Sequence, residues 1–315
     1  MRIAFSKWFK GLAVMGAIGA LATSIAQAQA PAPATLRLGM LPIVTQAPVF
    51  LGQERGFFKE EGLTLEIRMF QGGPEITAAA IGGDIDYGYA NPVSPILAFA
   101  QGAPVRIIAP SEFADDSIVD GVLARSDGPI KGLRDLVGKR VAVNALKGVL
   151  ELTVREGVLR TGGDPSKIVF VEAPFPQMGA LLAQGRVDAV ANVEPFITSM
   201  VKAGGAKIIA NAFDPIKDGP MGIWFATAKR ASDRELLERF RRAIVKSNIY
   251  ASKNPAEVRR IIQTFTRITP EAAAAIALPA WGDTLPPATV QHQIDMLVHH
   301  KFLAKRFNAS EILVK

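Results

Sequence analysis

Hydrophobic and polar positions follow two rhythms along this chain, and the rhythms take turns. "TLRLGML" (Thr35 to Leu41) alternates and then runs apolar, as an opening strand does. "LTLEIRMF" (Leu63 to Phe70) alternates with period two, which predicts a strand with one covered face. Between them "PVFLGQERGFFKEEG" (Pro48 to Gly62) sets apolar residues at helical intervals, with Gly62 as a stop. "GGPEITAAAIGG" predicts a glycine turn, a proline at the first helical position and a short helix. "IDYGYA" and "VRIIAPS" predict strands on either side of a helix, "VSPILAFAQGAP". This strand–helix alternation with short connections implies a largely parallel sheet covered by helices.

The pattern restarts after "DGVLARSDGPIKGLRDLVGK". "RVAVNA", "KIVFVEA", "VDAVANV" and "AKIIANA" predict strands, and "LELTVREGVLRTGG", "FPQMGALLAQG" and "PFITSMVKAGG" the helices between them. From Ser232 onward the chain reads as helical to its end, with no such alternation. The two halves share a phrase: "GGDIDYGYANP" and "QGRVDAVANVEP" set Gly83 and Asp86 against Gly185 and Asp188 at one offset of 102 residues. An aspartate at a tight turn bonds nearby backbone amides, so both aspartates are expected to be structural. Parallel α/β sheets place ligands at the carboxyl ends of their strands. Two such sheets would present Asn91-Pro92 from one side of a cleft and Asn192 to Pro195 from the other.

Composition narrows the class. Arg2, Lys7 and Lys10 precede an uncharged run from Gly11 to Ala26, followed by small-x-small patterns ending at Ala28 and Ala30. That is the layout of a cleavable export signal, residues 1–28, with cleavage favoured after Ala28 because Pro31 follows Ala30. The run is shorter than the ~20 residues of a spanning helix. About 287 residues remain, enough for two domains. Three of the seven excess positive charges leave with the signal. The dispersed remainder, "RFRR" and "HHKFLAKR" included, fits solvated helix faces, so no nucleic-acid partner is expected. With no cysteine there is no disulfide framework, zinc–thiolate site or thiol nucleophile.

Four segments in order, "PVFLGQERGFFKEEGLTLEI", "GDIDYGYANPVSPILAFAQGAPVRIIA", "IKGLRDLVGKRVAV" and "LLAQGRVDAVANVEPF", resemble the solute-binding proteins of ABC importers for nitrate, sulfonates and taurine, a family that includes binders of thiamine-pyrimidine precursors. The resemblance runs from about Leu36 to Ile197. It implies the type II periplasmic-binding fold, two α/β lobes around a ligand cleft with a helical C-terminal tail. Lobe 1 would hold residues 36–119 and 228–315, lobe 2 residues 125–221, with hinge crossings at 120–124 and 222–227. It further implies a monomer in the periplasm that captures a small solute and delivers it to an inner-membrane ABC permease.

Strand ends and helix starts nominate the ligand contacts. In lobe 1 these are Gln46, Gly72, Gly73, Asn91, Val93, Glu112 and Phe113; in lobe 2 they are Asn144, Leu146, Lys147, Gln177, Asn192, Glu194 and Phe213. The helix start at Gly72-Gly73-Pro74 offers amides to an anion, against the proline's missing hydrogen and the adjacent Glu75. Sulfonate-binding members tend to carry small hydroxyl residues where this chain has Leu146 and Lys147, which argues against sulfonate and nitrate. Glu112 and Glu194 are acceptors for an amine or ring nitrogen, and Phe113, Phe175 and Phe213 are stacking surfaces for a planar ligand. A neutral or mixed-charge organic solute therefore ranks above an inorganic anion. No cofactor is expected.

Two rivals stand beside transport. A sensor's binding component would share fold and cleft. The pyrimidine synthases that resemble this chain use a cysteine-rich iron motif and a histidine, whereas this chain has no cysteine. Its three histidines, His292, His299 and His300, all lie in the tail. His299 and His300, as neighbours on a helix, are expected to point to different faces, against a shared metal site. A binding protein, not an enzyme, is the expectation.

Overall fold

A computed structural model describes residues 32–266 and 268–314; the expected export signal lies outside them. Two five-stranded sheets carry the architecture. In the first, β1 (Ala34–Met40) pairs in parallel with β2 (Leu63–Met69) and β3 (Tyr87–Ala90), and β4 (Val105–Pro110) forms the far edge. A two-residue strand, β5 (Glu112–Phe113), follows. The second sheet takes β6 (Asp120–Arg125), β7 (Arg140–Val143), β8 (Val169–Glu172), β9 (Ala189–Val193) and β10 (Ala206–Asn211). The chain then returns to the first sheet as β11 (Ile223–Thr227).

The sheets are built to one plan. Their strand orders are β2-β1-β3-β11-β4 and, read from the matching edge, β8-β7-β9-β6-β10. Each has one antiparallel strand in the fourth place, β11 or β6. Both are the first strands formed after the chain passes from one sheet to the other. Gly121–Ala124 and Trp224–Thr227 therefore lie inside the sheets, and the chain passes between them just before, at 114–119 and 212–222.

Helices α1 (Ala47–Glu54), α2 (Phe57–Glu60), α3 (Gly73–Gly82) and α4 (Val93–Ala100) belong to the first sheet. The expected single helix over 48–62 is two, because Gly56 adopts φ 80°, a left-handed conformation that breaks the helical path. In the second half, α5 (Val149–Arg160), α6 (Phe175–Ala183) and α7 (Phe196–Lys202) follow β7, β8 and β9. The tail is α8 (Ala228–Ala231), α9 (Arg234–Lys253), α10 (Pro255–Ile261), α11 (Gln263–Thr266), α12 (Pro270–Ala275) and α13 (Pro287–His299). It is not wholly helical: β12 (Ala280–Trp281) pairs with β5. The amphipathic α9 buries Leu237, Phe240, Ala243 and Ile244, and Phe240 packs edge-on against Tyr87 and Trp224 of the first sheet.

The end of α13 corrects one expectation. His300 caps the helix at φ −84°, ψ 7°, off the helical path, so helical spacing no longer separates it from His299. The two rings meet at right angles with centroids 5.0 Å apart.

The repeated aspartates hold equivalent joints. Asp86 N donates to Arg37 O, and Arg37 N donates back to Asp86 Oδ2, at 2.8 and 2.9 Å. Asp188 N and Arg140 N repeat the exchange at 2.8 Å each. The role is structural, as expected, but the amides lie on the neighbouring strand rather than in the turn itself. Burial separates the pair: Asp86 is 2% exposed and also pairs with the Arg37 and Arg230 side chains, whereas the Asp188 side chain is 36% exposed. Asp86→Ala is therefore expected to cost about 2–3 kcal/mol in urea unfolding and Asp188→Ala about 1 kcal/mol or less. Equal losses would show that burial does not set the strength of this joint.

Candidate functional site

The carboxyl ends of the strands in both sheets converge on one cavity, as the open-sheet rule requires. The first half supplies Gly73 and Pro74 at the start of α3, Tyr89 and Asn91 at the end of β3, Ser94 on α4, and Thr45 and Glu112. The second half supplies Asn144, the start of α5 from Gly148 to Leu150, Phe175 at the start of α6, and Val193 and Glu194 at the end of β9. Asp120, opening β6, and Phe213 complete the wall. The cavity itself is about 60 Å³, room for a handful of waters, within about 610 Å³ of empty space counted out to its mouth. The two halves touch beside it, where Val44 N donates to Glu194 O at 3.3 Å.

Its charge is one-sided. Glu112, Asp120 and Glu194 are 1%, 6% and 2% exposed, and no lysine, arginine or histidine lines the cavity. Tyr89 OH donates to Glu112 Oε1, and the Thr45 hydroxyl lies 3.0 Å from Tyr89 OH. The other oxygen, Glu112 Oε2, is buried with no hydrogen-bond partner among the described residues. Glu194 is better held, accepting from Thr198 N at 3.1 Å and Thr198 Oγ1 at 2.6 Å. No protein group hydrogen-bonds the Asp120 carboxylate among the described residues. Burial pushes Glu112 up to about 7, against the pull of the Ser111, Tyr89 and Thr45 hydroxyls. Burial also raises Asp120 well above the usual range, and the charges of Glu112 and Glu194 raise it further. Glu194 is raised by burial, opposed by its bonds from Thr198.

Close packing holds this arrangement. A Cβ at Gly222 would collide with Glu112 Oε1 and stand 2.5 Å from Tyr89 OH, so only glycine lets the segment entering β11 pass the pair. From the tail, Trp281 Nε1 donates to Thr45 O at 2.9 Å, and Trp281 faces Glu112 across the β5–β12 ladder. The first turn of α5, whose N-cap Gly148 carries no capping side chain and whose amides lack helical partners, lines the same cavity as the acids. One wall therefore offers donors and another offers acceptors.

Of the fourteen residues nominated from sequence, Gly73, Asn91, Glu112, Asn144, Glu194 and Phe213 line the cavity. The side chain of Asn91 is occupied, donating to Met221 O at 2.8 Å and accepting from Val93 N at 2.9 Å. Gly72 stands at the rim, where an added Cβ would lie 3.3 Å from Asn144 Nδ2. Gln46 and Val93 are buried outside the cavity. Phe113 follows Glu112 on β5, and alternation turns it to the opposite face, over Gly282. Leu146 and Lys147 are exposed; Lys147, in a left-handed turn, gives its amide to Glu151 at 2.8 Å. Gln177 lies on the exposed side of α6, and Asn192 is fully buried, donating to Phe175 O at 3.2 Å. Thr45 lies in the cleft segment expected after the first strand, Pro42 to Pro48, whereas sequence reasoning passed over Tyr89 and Asp120. A signal existed for Tyr89, since a tyrosine buried at a strand's carboxyl end needs a partner for its hydroxyl.

Comparison with known proteins places this geometry. A family model described as NMT1/THI5 like matches residues 44–258. A protein of Escherichia coli (strain K12) described as aliphatic-sulfonates-binding is 25% identical over 236 residues, covering 72% of this chain and 64% of its own length. A 4-amino-5-hydroxymethyl-2-methylpyrimidine phosphate synthase of Saccharomyces cerevisiae is 24% identical over 160 residues, covering 51% of this chain and 46% of its own. The chain thus spans less than two thirds of either relative. Among solved structures, the alkanesulfonate-binding protein of Xanthomonas axonopodis pv. citri bound to MOPS superposes with a TM-score of 0.77 at 19% identity, over 90% of this chain and 99% of that one. The expected type II periplasmic-binding fold is the fold observed.

The acids make stability depend on pH in a definite direction. Glu112 has a folded-state pKa above its unfolded value of 4.5, so its contribution is fully present below pH 4.5 and is lost as pH rises through about 7. Asp120 and Glu194 act in the same direction. The solute-free protein is expected to lose stability from pH 5 to pH 8, with Glu112 accounting for about 3 kcal/mol at most. Glu112→Gln should flatten that slope in calorimetry; an unchanged slope would show that Glu112 does not titrate in this window.

Proposed function

The chain belongs to the NMT1/THI5-like family, and from that premise we propose that it is a periplasmic solute-binding protein that captures a small organic solute between its lobes and delivers it to an ABC importer. The solute carries N–H donors or a positive charge at the end that meets Glu112, Asp120 and Glu194. The single observation that carries this reading is the unpartnered Glu112 oxygen in a cavity lined by three carboxyls and no base. Buried acceptors are stable when something donates to them, and a solute amine or protonated ring nitrogen does so.

The same charge pattern disfavours sulfonate and nitrate, although relatives are named for sulfonates. An anion would have to hold Glu112, Asp120 and Glu194 in their protonated forms, because any of them that ionises, as Glu112 does near pH 7, repels it in a site of low dielectric. The first-turn amides of α5 and the free Asn144 and Ser94 side chains suit a neutral or negative group at the solute's other end. Phe175 and Phe213 supply flat apolar surface. A cavity of about 60 Å³ admits such a molecule only after the lobes part, and hinge closure then presents the closed form to the permease.

A thermal-shift and calorimetry panel tests this: amino-substituted heterocycles and small amines against alkyl sulfonates, taurine and nitrate. A true ligand at 100 times its Kd adds about 2.7 kcal/mol of stability. The expected hit carries an N–H donor and tightens as pH rises from 5.5 to 7.5 and Glu112 ionises. Glu112→Gln and Asp120→Asn should each weaken it about tenfold or more. A sulfonate or nitrate that binds selectively and is insensitive to both substitutions would overturn the solute class.

A further inference from the structure

Outside the cleft, three metal-binding side chains meet where α5 touches α13. Glu156 Oε2 lies 2.8 Å from His300 Nε2, and ligand atoms of Glu156, His299 and His300 all fall within 4.8 Å of one another. We propose that Glu156, His299 and His300 form a site for a divalent first-row transition ion such as Zn²⁺, joining α5 to α13. The proposal stands independently of the solute reading.

Two imidazoles and a carboxylate are the donor set that borderline divalent ions select, leaving positions for water. Bonds of about 2.0–2.2 Å put neighbouring donors about 3–3.5 Å apart. The His300–Glu156 separation of 2.8 Å is a hydrogen-bond distance that need open only by a few tenths of an ångström (~0.2–0.7 Å) for an ion to replace the shared proton, and both side chains are held by packing, at 6% and 14% exposure. His299 is exposed at the helix end, so its ring is the one free to swing the remaining distance. Arg160 Nε binds the other oxygen, Glu156 Oε1, at 2.8 Å. That contact orients the carboxylate, leaves Oε2 to the ion, and adds a positive charge that weakens binding of any cation. Two nitrogens and one oxygen beside a guanidinium do not suit Ca²⁺ or Mg²⁺, which require several oxygens. The location adds a consequence: α5 follows β7 in the second sheet, whereas α13 also packs on α4 of the first. A bound ion therefore ties the two halves of the molecule together.

The test uses full-length mature protein without a histidine tag, stripped with chelator and titrated with Co²⁺ under visible absorption and equilibrium dialysis. One Co²⁺ per chain with d–d bands is expected. The bands should vanish in His299→Ala/His300→Ala, weaken about tenfold or more in Glu156→Gln, and persist in His292→Ala, where the ring contacts Pro215 O instead. His299→Ala alone, at an exposed position, should also weaken binding and removes misfolding as an explanation. No Co²⁺ uptake by the unmodified protein, or uptake that His299→Ala and Glu156→Gln leave unchanged, would overturn the site.

Discussion

Three carboxyl groups meeting in a closed space with no base among them is the constraint around which this molecule is arranged. Left alone, such groups repel one another and miss their hydration. The protein meets this with partial measures: the Tyr89 hydroxyl on one oxygen of Glu112, the Thr198 amide and hydroxyl on Glu194, and raised pKa values that keep protons on the acids. Asp120 and the second oxygen of Glu112 are left open. A binding site that must be completed from outside carries this kind of unfinished polar network, and its cost is borne by the rigid frame around it.

That frame is a duplication in which each sheet closes around an antiparallel strand formed just after the chain passes between the sheets. The exchange places the acids. Asp120 opens β6 directly after the first passage, and its register partner is Val193, immediately before Glu194. Glu112 lies on β5, just beyond the end of the first sheet's β4 and before that same passage. Glu112 thus follows the first sheet, Glu194 follows a strand of the second, and Asp120 stands at the junction between them. Under the proposed function, parting the lobes would change the separation of the acids and so couple solute binding to closure.

Much of this was legible in the chain because periodicity reports burial. The parallel strands, the helices between them and the repeated glycine–aspartate turn all follow from local pattern, and so did Glu112 and Glu194 as strand-end acids. What stayed hidden depends on partners distant in sequence. Nothing local marks β6 and β11 as antiparallel insertions, or the two-residue β12 as a strand inside a helical tail. Asp120 falls in the expected 120–124 crossing, and its charge gains meaning only beside Glu112 and Glu194. Phe113 and Glu112 were nominated together, although consecutive strand residues must face opposite ways. His299 and His300 were assigned helical spacing up to the residue where the helix ends.

The same fold holds sulfonates in named relatives, so the fold alone does not choose the solute's charge. What chooses is the balance between donors supplied by the backbone and acceptors supplied by side chains. The donors come from helix starts, such as the first turn of α5, and they accompany the architecture whatever the sequence. The acceptors are side chains, Glu112, Asp120 and Glu194, and so depend on the sequence. A pocket with donors alone selects an anion, and adding three acids to the facing wall reverses that selection at one end while leaving it intact at the other. On the proposed reading, the arrangement would favour a solute with two unlike ends, its N–H-bearing end toward the acids and its acceptor end toward α5.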